Sequence, residues 1–567
     1  MVQPSREYFQ PGSVVIPRRA WASGVHAILL RTLHGYVANA LRPVQRIDSA
    51  VGSSPESSSP FGPDRARKES AHAQRGTWMR AISRIVFTRR LPVLVAALLS
   101  LAMWASPPVQ SASTAVARPL AIDFQQVGAA LTPPTEAQCV AVARRCFAPA
   151  ALQNAYNLSA LYAAGNQGQG VTVAVVDSFG SNTIRTDLNN FNTQFGLPHM
   201  CGEANHACAP GDPKFDVLCV QACTDTTGAP PTANSVGKQD RSAWIVEVSL
   251  DVEWVHAVAP RANVLLVTTP TAETLGVQGL PQMMNSEQYV IDHGLAQVIS
   301  QSFGASEQTF NGLAALENLR GAFKSAVAHN VSVLASTGDF GNTNVAKTPA
   351  GGANANPLLP FPNVSWPGAD PLVTAVGGTY LCMDAATGTH VDSSAPSGQC
   401  PNHPGAREVG WIDAGGGFSS IFSKPAYQDV LPPGSNTAAN VGNMRGIPDV
   451  AMDASSRTGV LVYADGSWFI VGGTSVASPC FAGVVGIADQ VNGAPLGFLN
   501  NALYKIGANP SRYAKDFFDV NTGNNDLLNT PQDPNYAATT GWDPVTGLGT
   551  PNAVNLVPDL IAAVHGN

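Results

Sequence analysis

The chain has 567 residues, 44% of them hydrophobic and 13% charged, with a formal net charge of -7. That length and apolar content allow one large domain with a sizeable core plus extensions, and so sparse a charge excludes a nucleic-acid binder by composition. Charge is also uneven: residues 1–117 carry 14 Lys and Arg against 5 Asp and Glu, leaving 18 basic and 34 acidic residues for the rest. An acidic, charge-poor body behind a basic leader suits export to a low-pH setting.

Residues 1–78 are rich in Ser, Arg and Pro without sustained periodicity, and read as an unstructured upstream extension with Met79 as the true start. From Met79, basic Arg80, Arg84, Arg89 and Arg90 precede an apolar run from Leu91 to Trp104 and then small residues. This is the layout of a secretory signal over 79–117, cleaved after Ala112 or Ala117, and the run is short for a membrane span. The alternative is a signal anchor behind a cytoplasmic tail. The expectation is a secreted, extracellular, monomeric body without stable membrane association after signal cleavage. Residues 118–149 read as a short linker.

Eight of the nine cysteines fall in close pairs, Cys139/Cys146, Cys201/Cys208, Cys219/Cys223 and Cys382/Cys400. Local disulfides in an oxidising compartment are the natural reading. Zinc is the rival, because His199, Cys201, His206 and Cys208 lie close together, as do Cys219 and Cys223. Cys480 is left over and reads as a buried small apolar residue.

From about residue 150 strand-like runs appear at 171–176, 263–268, 296–302, 331–336 and 372–376, with helical patterns between several of them, notably 241–258 and 311–329. Continuous Val/Ile/Leu runs separated by helices predict an α/β domain with a mostly parallel central sheet covered by helices on both faces.

The stretch GGTSVASPC at 472–480 sits between a strand-like run and a helix of small residues. Ser475 is either a nucleophile at a helix start, where backbone N–H groups point outward, or a simple cap. A nucleophilic serine needs a base and an oxyanion donor, and none of the 11 histidines lies in an HGTH-like segment. In WIVEVSLDVEWVHAVAP at 244–260, Glu247 and Asp251 are four apart and share a helix face. Two such acids on an apolar helix are unfavourable unless they share a proton, which raises one pKa and yields an acid/base group working in acid. The alternative is a solvated helix face, with Glu253 as another acid on it. Asp339, in TGDFG after the strand VSVLAS, occupies a glycine-flanked loop at a strand's carboxyl end, where ligand sites of open α/β sheets gather.

Together EVSLD, STGDFG and GGTSVASP resemble the sedolisin family, the serine-carboxyl peptidases with a subtilisin-like fold, over roughly residues 150–560. The resemblance implies polypeptide substrates, with Ser475 as nucleophile, Glu247 as general base, Asp251 as its orienting partner and Asp339 as oxyanion donor. Gly472 stands where the family more often has serine. FFDVNTG at 517–523 and TTGWDPVTGLGTPN at 539–552 offer two aspartates among glycine-rich backbone, hard and flexible oxygen ligands of the kind Ca²⁺ prefers. The family holds one calcium ion here. The matching ligands are the carboxylates of Asp519 and Asp543 and the carbonyls of Val520, Thr539 and Gly541.

SQSFG at 300–304 and GGGFS at 415–419 resemble the family's substrate-binding edges, with Phe303 where tryptophan is frequent. The family's long amino-terminal pro-domain has no counterpart in 118–149, so folding without an attached one, or with one acting in trans, is expected. Endopeptidase action is expected over tripeptidyl-peptidase action. Two rivals remain: a histidine-dependent subtilisin-type protease with Asp177 of VAVVDS in its triad, and a secreted non-catalytic binding protein on the same fold.

Overall fold

A computed structural model describes residues 124–220, 241–269, 280–310, 312–344, 358–394, 398–435, 443–529 and 536–566. The upstream extension, the signal segment 79–117 and Cys223 lie outside the described residues.

The run VTVAVV becomes the strand Thr172–Ser178, buried on both sides. Because side chains alternate along a strand, Val173 and Val175 enter one hydrophobic core while Ala174 and Val176 enter another. That double burial is why the run reads as continuously apolar. The strand lies inside an eight-stranded sheet in the order Glu408–Gly410, Thr374–Leu381, Ser332–Ser336, Val298–Gln301, Thr172–Ser178, Asn263–Thr269, Phe215–Cys219, with Val450–Asp453 also paired to Thr374–Leu381. Within this sheet Glu408–Gly410 pairs antiparallel and the other pairings are parallel. Helices Arg241–Val258 and Thr474–Asn492 contribute to the first core, and Leu280–Asp292 and Gly321–Ala328 to the second. The expected α/β architecture is therefore the observed one. No helix among the described residues is long and apolar enough to cross a membrane.

The structure departs from the sequence reading in two places. The helical pattern at 311–329 resolves into Leu313–Leu316 and Gly321–Ala328, with residue 311 outside the described set. Gly312 at φ 76° caps the first piece and Gly321 opens the second, and glycine is a poor helix propagator. The segment expected to be a linker folds onto the body. Phe124–Gly128 and Arg145–Phe147 are the outer strands of a four-stranded sheet whose inner strands are Ser467–Val471 and Thr458–Ala464. Arg145 fastens it further, donating to the Met383 carbonyl at 2.7 Å and to Asp392 at 2.5 Å.

The disulfides Cys139–Cys146, Cys201–Cys208 and Cys382–Cys400 are formed, Cys219 is also disulfide-bonded, and Cys480 is a free, buried thiol. The cysteine side of the zinc reading is thereby excluded for Cys201 and Cys208.

Two helices fix the centre of the molecule. Arg241–Val258, the carboxylate helix, is buried at every position from 243 to 258, so it has no solvated face there. Glu253, read as a mark of such a face, instead accepts from the Tyr463 N–H at 3.0 Å, and Trp254 Nε1 donates to the Leu461 carbonyl at 3.0 Å. The second helix, Thr474–Asn492, is the serine helix, and it packs directly on the first. Gly483 sets their separation: a Cβ there would lie 2.8 Å from Val258 Cβ and Cγ1. Gly483→Ala gains about 1 kcal/mol of helix propensity but forces β-branched Val258 aside, an overpacking cost of about 1–3 kcal/mol. The expected outcome is net destabilisation of about 1 kcal/mol, read as a lowered melting temperature.

Candidate active site

The serine helix begins at a backbone turn that only glycine fills. Gly473, its N-cap, has φ 128°, and a Cβ on Gly472 would lie 2.1 Å from the backbone nitrogen of Ser456. The residue more usual at 472 would not fit here. Thr474 opens the helix and reaches the TGDFG loop: its N–H and its hydroxyl donate to Asp339 Oδ1 at 2.8 and 2.9 Å, and Gly338 N–H donates to its hydroxyl at 3.0 Å. Asp339 thus sits against the first turn of the helix, a position the helix dipole favours for an acid. Ser475 follows at once, fully buried, and its Oγ has no hydrogen-bond partner among the described residues.

The strand Val298–Gln301 joins this corner to the carboxylate helix. Ser300, in this strand, and Ser302, just beyond its end, hold one element each. The Ser300 hydroxyl meets that of Ser478 on the serine helix at 2.9 Å, and the Ser302 hydroxyl donates to Asp251 Oδ1 at 2.9 Å. Glu247 lies one turn before Asp251, fully buried. All four residues singled out in the sequence therefore lie on elements packed around one corner.

A fourth acid belongs to the group. Asp177, at the end of the central strand, is fully buried and neither carboxyl oxygen has a hydrogen-bond partner among the described residues. Burial pushes its pKa from 3.8 up to about 8. The Asp251 carboxyl is held well above its ordinary value, first by burial and then by the charges of Asp177 and Glu247, against a smaller opposing pull from Ser302. Sequence reasoning placed Asp177 only in a histidine triad. Among the described residues no histidine bonds to Asp177 or Ser475; the one on the carboxylate helix, His256, bonds to the Pro198 carbonyl at 2.8 Å instead.

The two glycine-rich edges have other neighbours too. Phe303 is buried in the second core, and Gly415 N–H donates to the Gly338 carbonyl at 2.6 Å. Gly417–Ser423 is already paired antiparallel with Met444–Ile447 along one side.

The five residues expected to hold a cation converge near the carboxyl end. Gly541 N–H donates to Asp519 at 3.1 Å, and Asp543 accepts from the N–H groups of Thr539, Val545 and Thr546 at 2.9, 2.9 and 2.8 Å. The Thr546 hydroxyl bridges Asp543 at 3.3 Å and the Val520 carbonyl at 3.4 Å. Tyr513 donates to Asp519 at 2.9 Å, and its phenol is pushed up by burial and by the charges of both aspartates. Neither Asp519 nor Asp543 pairs with a Lys, Arg or His among the described residues, and the carbonyls of Thr539 and Gly541 accept no backbone hydrogen bond there. A hard divalent cation suits this donor set.

The buried acids make stability depend on pH. Burial raises Asp177 to about 8, Asp489 to about 7 and Asp187 to about 6, all from 3.8. Between those limits the folded chain keeps protons that the unfolded chain has released, so this stabilisation is full below about pH 4 and is lost as pH rises toward 8. His256, pushed from 6.5 down to about 4 by burial, works oppositely, costing stability as pH falls through that window. The three acids outweigh the one histidine. The melting temperature should fall from pH about 5 to about 8, and Asp177→Asn should flatten that slope in thermal scans across pH.

The subtilase family matches residues 168–501. The chain is 29% identical to kumamolisin of Bacillus sp. (strain MN-32) over 75% of this chain and 66% of that protein. It is 33% identical to sedolisin of Pseudomonas sp. (strain 101) over 48% of this chain and 42% of that one, and 29% identical to tripeptidyl-peptidase 1 of Mus musculus over 58% and 54%. The chain thus spans from under half to about two thirds of the length of these curated relatives. In fold it resembles a solved Pseudomonas sedolisin, a serine-carboxyl proteinase complexed with two molecules of pseudo-iodotyrostatin, with a TM-score of 0.54 and 23% identity over 75% of this chain and 99% of that one. A buried serine at a helix start, on a helix packed against the one that carries Glu247 and Asp251, fits these relationships, and the chain belongs to the subtilase family, on its sedolisin branch.

Proposed function

We propose that the chain is an exported, acid-active serine-carboxyl peptidase that cleaves polypeptides through an acyl-enzyme on Ser475. The supporting observation is Ser475 at the start of a buried helix, one residue after the Thr474 that binds Asp339, packed against the helix of Glu247 and Asp251. In this reading Ser475 Oγ attacks the scissile carbonyl carbon while its proton passes to Glu247. Asp251 orients Glu247, and its own raised pKa keeps a proton in the pair. Asp339, protonated, donates a hydrogen bond to the oxyanion. Glu247 then returns the proton to the leaving amine, and water releases the acyl group by the same steps in reverse order. Endopeptidase action is the proposed mode, and secretion follows from the signal-like segment 79–117.

Ser475→Ala should abolish hydrolysis of an acid-unfolded protein while leaving the melting curve unchanged. For the wild type, kcat/KM should be highest in acid and fall toward neutrality, as carboxyl groups in these roles lose their shared protons. A plateau kept above pH about 7, governed by a group near the histidine reference of about 6.5, would instead indicate an imidazole base. Cleavage of an amino-blocked peptide separates endopeptidase from tripeptidyl-peptidase action.

We propose further that Asp519 and Asp543, with the carbonyls of Val520, Thr539 and Gly541, hold one calcium ion. When bound, calcium supplies no chemistry to the reaction; it ties together two segments whose carboxylates otherwise face each other near Tyr513. Chelation should lower the melting temperature and speed autolysis, and Asp543→Ala should make the melting temperature indifferent to added Ca²⁺. Wild-type melting unmoved by chelator, with no calcium in elemental analysis, would overturn the assignment.

A further inference from the structure

The loop between helix Ile184–Phe195 and strand Phe215–Cys219 gathers a second group of ligating side chains, far in sequence from Asp519 and Asp543. His199, Glu203 and His206 each present a donor atom within 4.8 Å of the other two. We propose that these three side chains form a site for a divalent cation of the zinc class.

The loop is built to hold them. The Cys201–Cys208 disulfide closes the turn that carries Glu203 and His206, and Cys201 is bonded to the neighbouring chain through Pro213 and Phe215 at 2.7 and 2.8 Å. Glu203 is buried, and its carboxylate is aimed by two amides, Asn189 Nδ2 at 2.9 Å to one oxygen and Asn192 Nδ2 at 2.8 Å to the other. Both amides belong to helix Ile184–Phe195, so the carboxylate cannot swing outward without losing them. His199 Nδ1 contacts Glu203 Oε1. His206 lies against His199, the rings stacked with centroids 5.2 Å apart. Asp212 takes His206 Nε2 at 2.8 Å and is itself fixed by the Ala209 N–H at 2.7 Å, leaving the other ring nitrogen available. A carboxylate holding the far nitrogen of a ligating histidine is the usual outer support of a zinc site.

The chemistry selects the cation. Two imidazoles and one carboxylate suit zinc and its neighbours, whereas calcium and magnesium take oxygen donors. Tetrahedral zinc holds such donors about 3.3 Å apart, given metal–ligand bonds of about 2.0–2.1 Å. Donors within 4.8 Å reach that spacing by small rotations of the two partly exposed histidines. Ion pairing accounts for each histidine singly, His199 beside Glu203 and His206 beside Asp212, but not for the stacking of the two rings next to one buried carboxylate. One cation shared by both rings and that carboxylate accounts for the whole arrangement.

The test uses the tag-free, metal-stripped full chain. It is titrated at neutral pH with Zn²⁺ by calorimetry and with Co²⁺ by visible absorption, in excess Ca²⁺ to saturate the oxygen site. The wild type should take up one more equivalent than His199→Gln/His206→Gln, with tetrahedral cobalt bands absent from the variant. Asp212→Asn should keep the equivalent but bind it roughly 10–100-fold more weakly. If the double variant does not fold, His206→Gln and Asp212→Asn carry the comparison alone. Equal uptake and affinity in wild type and variants would overturn the site, as would wild-type binding weaker than about 1 mM.

Discussion

The structure depends on keeping carboxyl groups dry. Asp177, Glu247, Asp251 and Asp339 are all fully buried, where an isolated ionised carboxylate costs far more than any single packing contact returns. For two of them the chain meets that cost by proton retention. Asp251 is raised by burial and by two acidic neighbours, and Asp177 by burial alone. This arrangement dictates its surroundings. The carboxylate helix must be buried all round, its partner must be lined with small residues so that the two backbones approach, and neighbouring segments must supply hydroxyls such as Ser302 to satisfy what remains.

Much of the fold was legible because its central strands are covered on both faces. Val173 and Val176 enter different cores, so no polar residue interrupts the run, and the same holds for Ser332–Ser336. Of the hairpin Thr458–Ala464 and Ser467–Val471 only the second strand was read, as the run before GGTSVASPC, although Asp465 and Gly466 at φ 46° and 74° form the kind of turn that marks a hairpin. Glu408–Gly410 is too short to carry any pattern, and the outer strands at 124–128 and 145–147 gain their identity from partners far along the chain.

Within the candidate site, spacing singled out Glu247 and Asp251 and glycine-rich context singled out Asp339 and Ser475, but only the resemblance to a family joined them into one site. Asp177 could be seen but not placed, because its neighbours come from a helix far along the chain and no local pattern encodes that contact. Thr474, Ser300 and Ser302 were invisible for a plainer reason. Serine and threonine are common, and only the assembled geometry distinguishes those that bridge two elements from those that face water. The histidine loop was read chiefly for its cysteines: the expected Cys201–Cys208 disulfide is formed, and the histidines entered only with the rival zinc reading.

The pairing of Phe124–Gly128 with Ser467–Val471 has a consequence for the order in which the molecule can be made. Gln126 donates to the Ser467 hydroxyl at 3.1 Å across 341 positions of sequence. Phe124–Gly128 therefore waits, through synthesis of most of the body, for a partner that lies shortly before Ser475. Closing so long a loop is slow, although the entropic cost grows only logarithmically with its length. A ribosome or a translocation channel releasing this chain from its amino end leaves that strand unpaired until nearly everything has emerged. The four-stranded sheet, and with it the hairpin that leads into the serine helix, is thus among the last parts to close, so an incompletely delivered chain cannot assemble the corner where Ser475 lies.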